Sequence, residues 1–251
     1  MANEQYITSY LAKCGINVSR ETSMKLDVYY KRLVEKNKFL NLTAITEFEE
    51  AVQKHFADSL APLSEFNEGE TSNVSRETFY QDGVSIVDVG TGAGFPGLPL
   101  KIVLPGAKVT LIDALRKRLD FLDEVIEELE LKDVWTVHAR AEEAARDEEL
   151  RENFDICVSR AVADLAILSE YCLPFVKVGG ILVSYKAYDC EEELEGAKKA
   201  IETLGGKVES IETFALAESD IKRKLIIIRK ISSTDDKYPR RAGKPEKKPI
   251  K

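Results

Sequence analysis

The stretch Val84–Gly97, VSIVDVGTGAGFPG, holds the residues best able to organise chemistry. A short apolar run ends in three alternating glycines, Gly90, Gly92 and Gly94. Asp113 stands nineteen residues past Gly94, at the end of the next apolar run, VTLID. A strand, a glycine turn, a helix and an acid on the next strand tip are the parts of an adenosine-binding crevice. Glycine lets backbone approach a ligand with no Cβ in the way. A carboxylate such as Asp113 can accept from both hydroxyls of a ribose.

As text the motif has more than one reading. Gly92–Gly97, GAGFPG, also fits the G-x-G-x-x-G dinucleotide fingerprint, and Asp113 sits about where that fingerprint wants its acid. Asp88, two residues before Gly90, tips the balance. D-x-G-x-G-x-G is associated with S-adenosylmethionine enzymes, in which the acid lies beside the methionine end of the cofactor. Pro96 and Pro99 shape the loop and the first helical turn, where a missing N–H is tolerated. A nicotinamide enzyme would normally bring a second domain for its substrate, and little chain remains for one. A dinucleotide site and a merely structural turn stay open as alternatives.

Methyl transfer from a sulfonium is an in-line displacement, so the acceptor's chemistry should also leave marks. An exocyclic base amine usually sits against an Asn/Asp-Pro-Pro-aromatic turn after the fourth strand, and this chain has no Pro-Pro. A pyrimidine ring carbon needs a cysteine nucleophile. None of the four cysteines, Cys14, Cys157, Cys172 and Cys190, follows a proline or lies at that strand tip. The fourth strand runs FDICVSRAVADL, so its tip carries Ser159 and Arg160. An arginine there suits an acceptor that already owns a lone pair, such as guanine N7, which needs placement and no general base. Arg160 is positioned to hold a phosphate or donate to guanine O6; a pairing with a surface acid is the plainer alternative.

The elements that must position these residues can be read from hydrophobic periodicity. Residues 1–63 read as helical: Leu26, Tyr29, Tyr30, Leu33 and Val34 recur at helical spacing, as do Phe48, Val52, His55 and Phe56, with Thr46 a plausible cap. Residues 67–83 read as loop. Strands are predicted near 84–89, 107–112, 134–138, 154–159, 178–185, 207–213 and 224–231. Helices are predicted near 97–103, 115–130, 142–150, 163–175 and 190–204. The helix at 115–130 should turn Leu115, Leu119, Leu122, Val125, Ile126 and Leu129 inward. Gly179-Gly180 should turn the chain into the fifth strand, and Gly205-Gly206 should cap the last helix. Regular alternation implies a mainly parallel α/β sheet covered on both faces, closed by a hairpin of the last two strands. That is the layout of a class I methyltransferase, a Rossmann-like seven-stranded sheet. The organisation expected is an N-terminal helical cap (1–66), a catalytic domain (67–231) and a basic C-terminal tail (232–251), mobile without a partner.

Composition limits the alternatives. The 251 residues suffice for one good core plus an appendage, and 44% apolar with 32% charged content is that of a soluble globular protein. Nothing is apolar for long enough to span a membrane, and the N-terminal MANEQYITSYLAKCG does not read as a secretory signal. Scattered cysteines and two histidines argue against a metal site and fit a reducing cytoplasm. The net charge of −8 is unevenly spread: Lys222–Lys251 holds twelve Lys/Arg and three Asp/Glu, a local +9 that leaves −17 on the 221 residues before it. An acidic body with a basic tail suits contact with a polyanion at one place, although such a tail also aids solubility alone. The hexapeptide NVSRET occurs twice, at Asn17–Thr22 and Asn73–Thr78, with no wider similarity around it. It can be encoded by DNA containing TGTTTCACGTGAAACA, a perfect palindrome resembling the bacterial chromosome-partition site. The peptides then read as by-products of two DNA sites, with chance and local duplication as the alternative.

Taken together, DVGTGAGFPGLPL, NKFLNLTAI, KHFADSL, SRAVADL and YPRRAGKPEKKPI resemble the bacterial 16S rRNA guanine-N7 methyltransferase family, once called glucose-inhibited division protein B. The resemblance runs from about Lys36 to the end. It implies S-adenosylmethionine as cofactor and 16S rRNA, free or in a small-subunit particle, as partner. It implies donor contacts at Gly90 and Phe95, with Ala141 and Glu142 bracketing the adenine and Arg160 beside donor and substrate. Asp88, Gly92, Gly94 and Asp113 complete the expected donor site. Asn41, Thr43, His55, Asp58 and Lys186 are candidate RNA contacts, Lys186 because it ends the fifth strand. Arg240, Arg241, Lys244, Lys247 and Lys248 would neutralise phosphates. A cytoplasmic monomer without metal is expected.

Overall fold

The computed structural model describes residues 2–64, 74–160 and 162–250. The chain opens with two packed helices, α1 (Asn3–Lys13) and α2 (Arg20–Leu40). Ser19 caps α2, its hydroxyl accepting from the Thr22 N–H at 3.0 Å, and Asn41 ends it in the left-handed region at φ 49°. Next comes α3 (Phe48–Ala51), which runs through a π-helical stretch, Val52–Ala57, into α4 (Asp58–Leu60). The residue before α3 is Glu47, without a side-chain cap; Thr46, the expected cap, instead offers its carbonyl to the Tyr30 hydroxyl.

A short helix, α5 (Val74–Phe79), falls in the stretch read as loop; residues 65–73 lie outside the described residues. The two NVSRET copies thus have different settings. The first supplies the Ser19 cap of α2, and the second begins outside the described residues and continues inside α5.

The alternating part follows as β1 (Ser85–Val89), α6 (Gly97–Val103), β2 (Lys108–Asp113), α7 (Arg116–Glu128), β3 (Val134–His138), α8 (Ala141–Ala144), β4 (Phe154–Arg160), α9 (Leu165–Cys172), β5 (Val176–Ala187), α10 (Glu191–Thr203), β6 (Gly206–Ala215) and β7 (Lys222–Lys230). The sheet order is β3-β2-β1-β4-β5-β7-β6. β1 to β5 pair in parallel, and β7 runs antiparallel between β5 and β6. The chain's direction across the sheet reverses between β1 and β4. An α/β sheet opens its crevice at that point, beyond the strands' carboxyl ends.

Strand alternation sorts side chains onto two faces. Ile86, Ile156, Val158, Ile181, Val183 and Tyr185 enter one core with the N-terminal helices. Val87, Val89, Cys157 and Leu182 enter the other with α9 and α10. Cys157 and Cys172 are buried thiols in this second core.

Several boundaries differ from expectation. Gly179 and Gly180 lie inside β5, which begins at Val176. Leu115 is the residue before α7, 45% exposed, because the chain is still extended there. α8 ends at Ala144. The tail after Ile231 is docked rather than free. Thr234 accepts from the buried Lys230 ammonium at 2.6 Å, Arg151 donates to the Thr234 and Tyr238 carbonyls, and Tyr238 and Ile250 pack on the second core. The tail ends in a short helix, α11 (Lys244–Lys247). No helix among the described residues is long and apolar enough to cross a membrane.

Candidate functional site

A cleft of about 510 Å³ opens at the carboxyl ends of β1, β2 and β4, a volume suited to a nucleoside-sized ligand. Gly90, Gly92, Phe95, Asp113, Ala141, Glu142 and Arg160 line it, as do Thr43 and His55. Residues far apart in the chain therefore share one wall because their strands end at one level.

The glycine loop is held from behind. Gly90 and Gly92 have φ of 72° and 61°, in the left-handed region. A Cβ on Gly92 would find only the Gly90 carbonyl oxygen, 4.0 Å away, so it would stand in the cleft. On Gly94 a Cβ would come within 2.6 Å of the Tyr29 hydroxyl, so this glycine serves packing. Tyr29, fully buried on α2, donates to the Ala93 carbonyl and stacks on Phe95 at 5.3 Å between centroids. The cap thus braces the loop.

Asp88 is placed differently from expectation. It is fully buried behind the loop and does not line the cleft. Its Oδ2 accepts from the Thr91 hydroxyl at 2.7 Å and from the Gly97 N–H at 2.8 Å. Oδ1 has no hydrogen-bond partner among the described residues. Burial outweighs the two bonds and pushes the carboxyl up to about 6. Asp88 and Gly94 therefore shape the loop, and Gly90, Gly92 and Phe95 face the cleft.

Asp113 joins two loops at the strand tip. Oδ2 accepts from the Gly92 N–H at 2.9 Å and pairs with Arg118 at 3.2 Å, while Oδ1 accepts from the Leu115 N–H at 2.8 Å. Three of a carboxylate's roughly four acceptor sites are used, which leaves room for one ribose hydroxyl rather than two. The open space over Gly92, the Asp113 carboxylate at the rim and the apolar Ile112 and Leu115 walls fit an adenosine-bearing ligand such as S-adenosylmethionine. Among the described residues no group of three or more His, Cys, Asp or Glu is arranged to hold a metal ion.

Arg160 lies where the sheet meets the cap. Period-two alternation turns it to the same face as Ile156 and Val158, toward the π-helical stretch. Its Nη1 donates to Asp58 Oδ2 at 2.7 Å and to the Lys54 carbonyl at 3.1 Å, and its guanidinium lies 5.2 Å from the centre of the Phe95 ring. An acid does pair with Arg160, but it is the buried Asp58 of the cap, not a surface residue. His55 stacks on Phe95 at 4.4 Å and shares a 2.8 Å hydrogen bond with the Thr43 hydroxyl. Burial, and then the Arg160 charge, lower the imidazole to about 4, so it is neutral at physiological pH. His55 and Asp58 are turned together by the π-helical stretch, a wide turn often found at functional sites.

A second hollow of about 480 Å³ adjoins the first. Lys54, Asp58, Tyr185, Arg223 and Lys224 line it, and Arg160 and His55 belong to both hollows. Lys186 reaches its edge, yet alternation turns it away from Arg160, because Arg160 registers with Tyr185. Its ammonium bonds Glu193 and the Ala163 carbonyl on the other side of the sheet. Asn41 is the left-handed end of α2, where it turns the chain toward Thr43.

The tail residues separate into two groups. Arg240 is not a free cation: its Nε and Nη2 grip the fully buried Glu170, with Nη2 to Oε2 at 2.6 Å. Arg241, Lys244, Lys247 and Lys248 are exposed. Thr91, Leu115, Arg118, Tyr171 and Glu246 also line the cleft and were missed in the sequence. Thr91 stood inside the motif itself; Tyr171 and Glu246 carried no local signal.

A family model described as GidB, rRNA small subunit methyltransferase G, matches residues 22–226. The ribosomal RNA small subunit methyltransferase G of Acetivibrio thermocellus is 50% identical over 236 residues, covering 94% of this chain and 92% of its own. The protein of that name from Lachnoclostridium phytofermentans is 48% identical over 240 residues, 96% of this chain and 94% of its own. Among solved structures, a mutant of MtNAS superimposes with a TM-score of 0.52 over 85% of this chain and 75% of that one. At 14% identity that likeness is one of fold.

Proposed function

The chain belongs to the GidB family, rRNA small subunit methyltransferase G, and we propose that it methylates N7 of one guanosine in 16S rRNA, with S-adenosylmethionine as donor. When bound, that donor supplies an electrophilic methyl on a sulfonium; the N7–carbon bond forms as the sulfur–carbon bond breaks. Gly90, Gly92, Phe95, Asp113, Ala141 and Glu142 would hold it in the larger cleft. Asp88 and Gly94 support it only through the loop.

The observation that carries the reading is the shared wall. Arg160 and His55 line both hollows, so an acceptor base in the smaller one would meet the donor beside these two side chains. Guanine N7 brings its own lone pair, so no base is needed. The wall fits that economy: His55 is neutral and the Asp58 carboxylate is engaged by Arg160. The ring gains positive charge as it is methylated, and a carboxylate kept close favours that charge. Arg160 positions the acceptor by donating to guanine O6 or to a phosphate oxygen. Thr43, His55 and Asp58 lie along this path, while the exposed Arg241, Lys244, Lys247 and Lys248 hold the RNA backbone electrostatically. The protein works as a cytoplasmic monomer on its RNA.

Borohydride and aniline cleave RNA at N7-methylguanosine, and primer extension locates the break. The 16S rRNA of a deletion strain should lack one stop that returns with the wild-type gene. An unchanged pattern at every guanosine would reject the assignment.

A further inference from the structure

The basic tail reads in sequence as an arm for RNA, yet its chain crosses the donor cleft. The Gly243 N–H donates to Glu142 Oε1 at 3.0 Å, so the tail backbone bonds the very carboxylate assigned to the adenine end. Three residues later Glu246 lines the cleft, where the Tyr171 hydroxyl donates to its Oε1 at 3.3 Å. Pro245 between them is buried. The anchor is substantial: Arg240 grips Glu170 through both its backbone N–H and its guanidinium, and Arg146 donates to the Pro239 carbonyl. This segment lies outside residues 22–226, the span the family model matches.

We propose that residues 240–248 form a strap that completes the donor site, with Glu246 a binding residue for the adenine end of the donor. This rests on the donor reading given under Proposed function. Adenine's exocyclic amine is a hydrogen-bond donor, and the strap brings a carboxylate and fixes a second, Glu142, at that end of the cleft. Both accept, so a purine bearing an amine at that position is favoured over one bearing a carbonyl oxygen. The basic side chains Arg241, Lys244, Lys247 and Lys248 remain exposed on the same strap, so one segment serves donor and RNA.

Calorimetry with S-adenosylhomocysteine and its inosine counterpart, S-inosylhomocysteine, tests the idea on the full chain and two variants. Deleting residues 242–251 keeps the Arg240–Glu170 anchor and removes Gly243 and Glu246. Glu246→Ala changes one exposed side chain and leaves the backbone intact, so it covers the case of a deletion that does not fold. A charge-assisted hydrogen bond is worth about tenfold or more in affinity. The deletion should weaken S-adenosylhomocysteine binding at least tenfold and shrink the preference over the inosine analogue, and Glu246→Ala should weaken it about tenfold with the same loss of preference. Trypsin should cut wild-type protein after Arg241, before Ala242, more slowly with S-adenosylhomocysteine present. If wild type binds the compound and the folded variants match it in affinity and preference, the strap proposal is overturned and the donor reading stands. If wild type binds neither compound, both fall.

Discussion

Replacing Arg160 by alanine should damage the protein in two separable ways. The Arg160–Asp58 pair has side-chain exposures of 15% and 7% with a 2.7 Å contact. Removing one partner of a buried pair costs about 3–5 kcal/mol, because the other charge is left without compensation. Here about 3 kcal/mol is expected, since Arg223 Nε stays 3.6 Å from Asp58 Oδ1 and offers some relief. For a chain of this size that lowers the unfolding midpoint by about 6–12 °C. The double change Arg160→Met with Asp58→Ala removes both charges and should recover most of that loss. Turnover should not recover, because the hydrogen-bond donor that positions the acceptor is still missing. That deficit corresponds to about 10–100-fold, the value of one hydrogen bond from a charged group. Urea unfolding and single-turnover methylation of unmethylated small-subunit RNA measure the two effects on the same preparations. A double variant that regains both stability and turnover would show Arg160 to be structural only. An Arg160→Ala protein as stable as wild type would refute the ion-pair argument itself.

Other outcomes follow from the same geometry. Gly92→Asp should leave the fold standing, apart from about 1–2 kcal/mol of left-handed strain, and abolish donor binding, because its side chain enters the cleft; donor binding at wild-type affinity would exclude Gly92 from the site. Gly97→Ala should instead lower stability, since its Cβ would lie 2.6 Å from Leu111 Cδ2 and 2.8 Å from Asp88, and an unchanged urea midpoint would contradict that packing. Asp88, raised from 3.8 to about 6, stabilises the fold below about pH 4 and loses that contribution as pH rises through 6. His55, lowered from 6.5 to about 4, acts oppositely: its contribution is full above about pH 6.5 and is lost as pH falls through 4. Each is worth on the order of 3 kcal/mol, so Asp88→Asn should make stability rise with pH between 4 and 6, relative to wild type, and His55→Gln should make it fall. Urea midpoints across that window check both signs, and parallel curves for all three proteins would reject the account. Alanine at Arg241, Lys244, Lys247 and Lys248 should flatten the salt dependence of RNA affinity by about one in slope for each phosphate no longer neutralised; an unchanged slope would remove the tail from the RNA surface.

The sequence by itself determined the sheet, the glycine loop and the strand tips, because those depend on local periodicity and on turn chemistry repeated along the chain. Seven strands, their mainly parallel order and the closing hairpin were legible in apolar runs separated by helical spacing. So were the positions of Gly90, just past the end of β1, and of Asp113 and Arg160, the last residues of β2 and β4, since the crevice of such a sheet opens beyond the carboxyl ends of these strands. Which face a side chain takes was also implicit in alternation, though the ending of β5 hid it for Lys186. Only the tertiary structure decided what lies behind and across the site. Asp88 turned out to hold the loop from within, since burial and the Gly97 N–H, not spacing, set its role. Asp58 became the partner of Arg160 through a π-helical turn that has no sequence signature. The tail's basic composition promised freedom in solvent, but a buried carboxylate seventy residues earlier, Glu170, captures Arg240. Such pairings join residues distant in sequence, and their energy comes from desolvated contact, which no local pattern records.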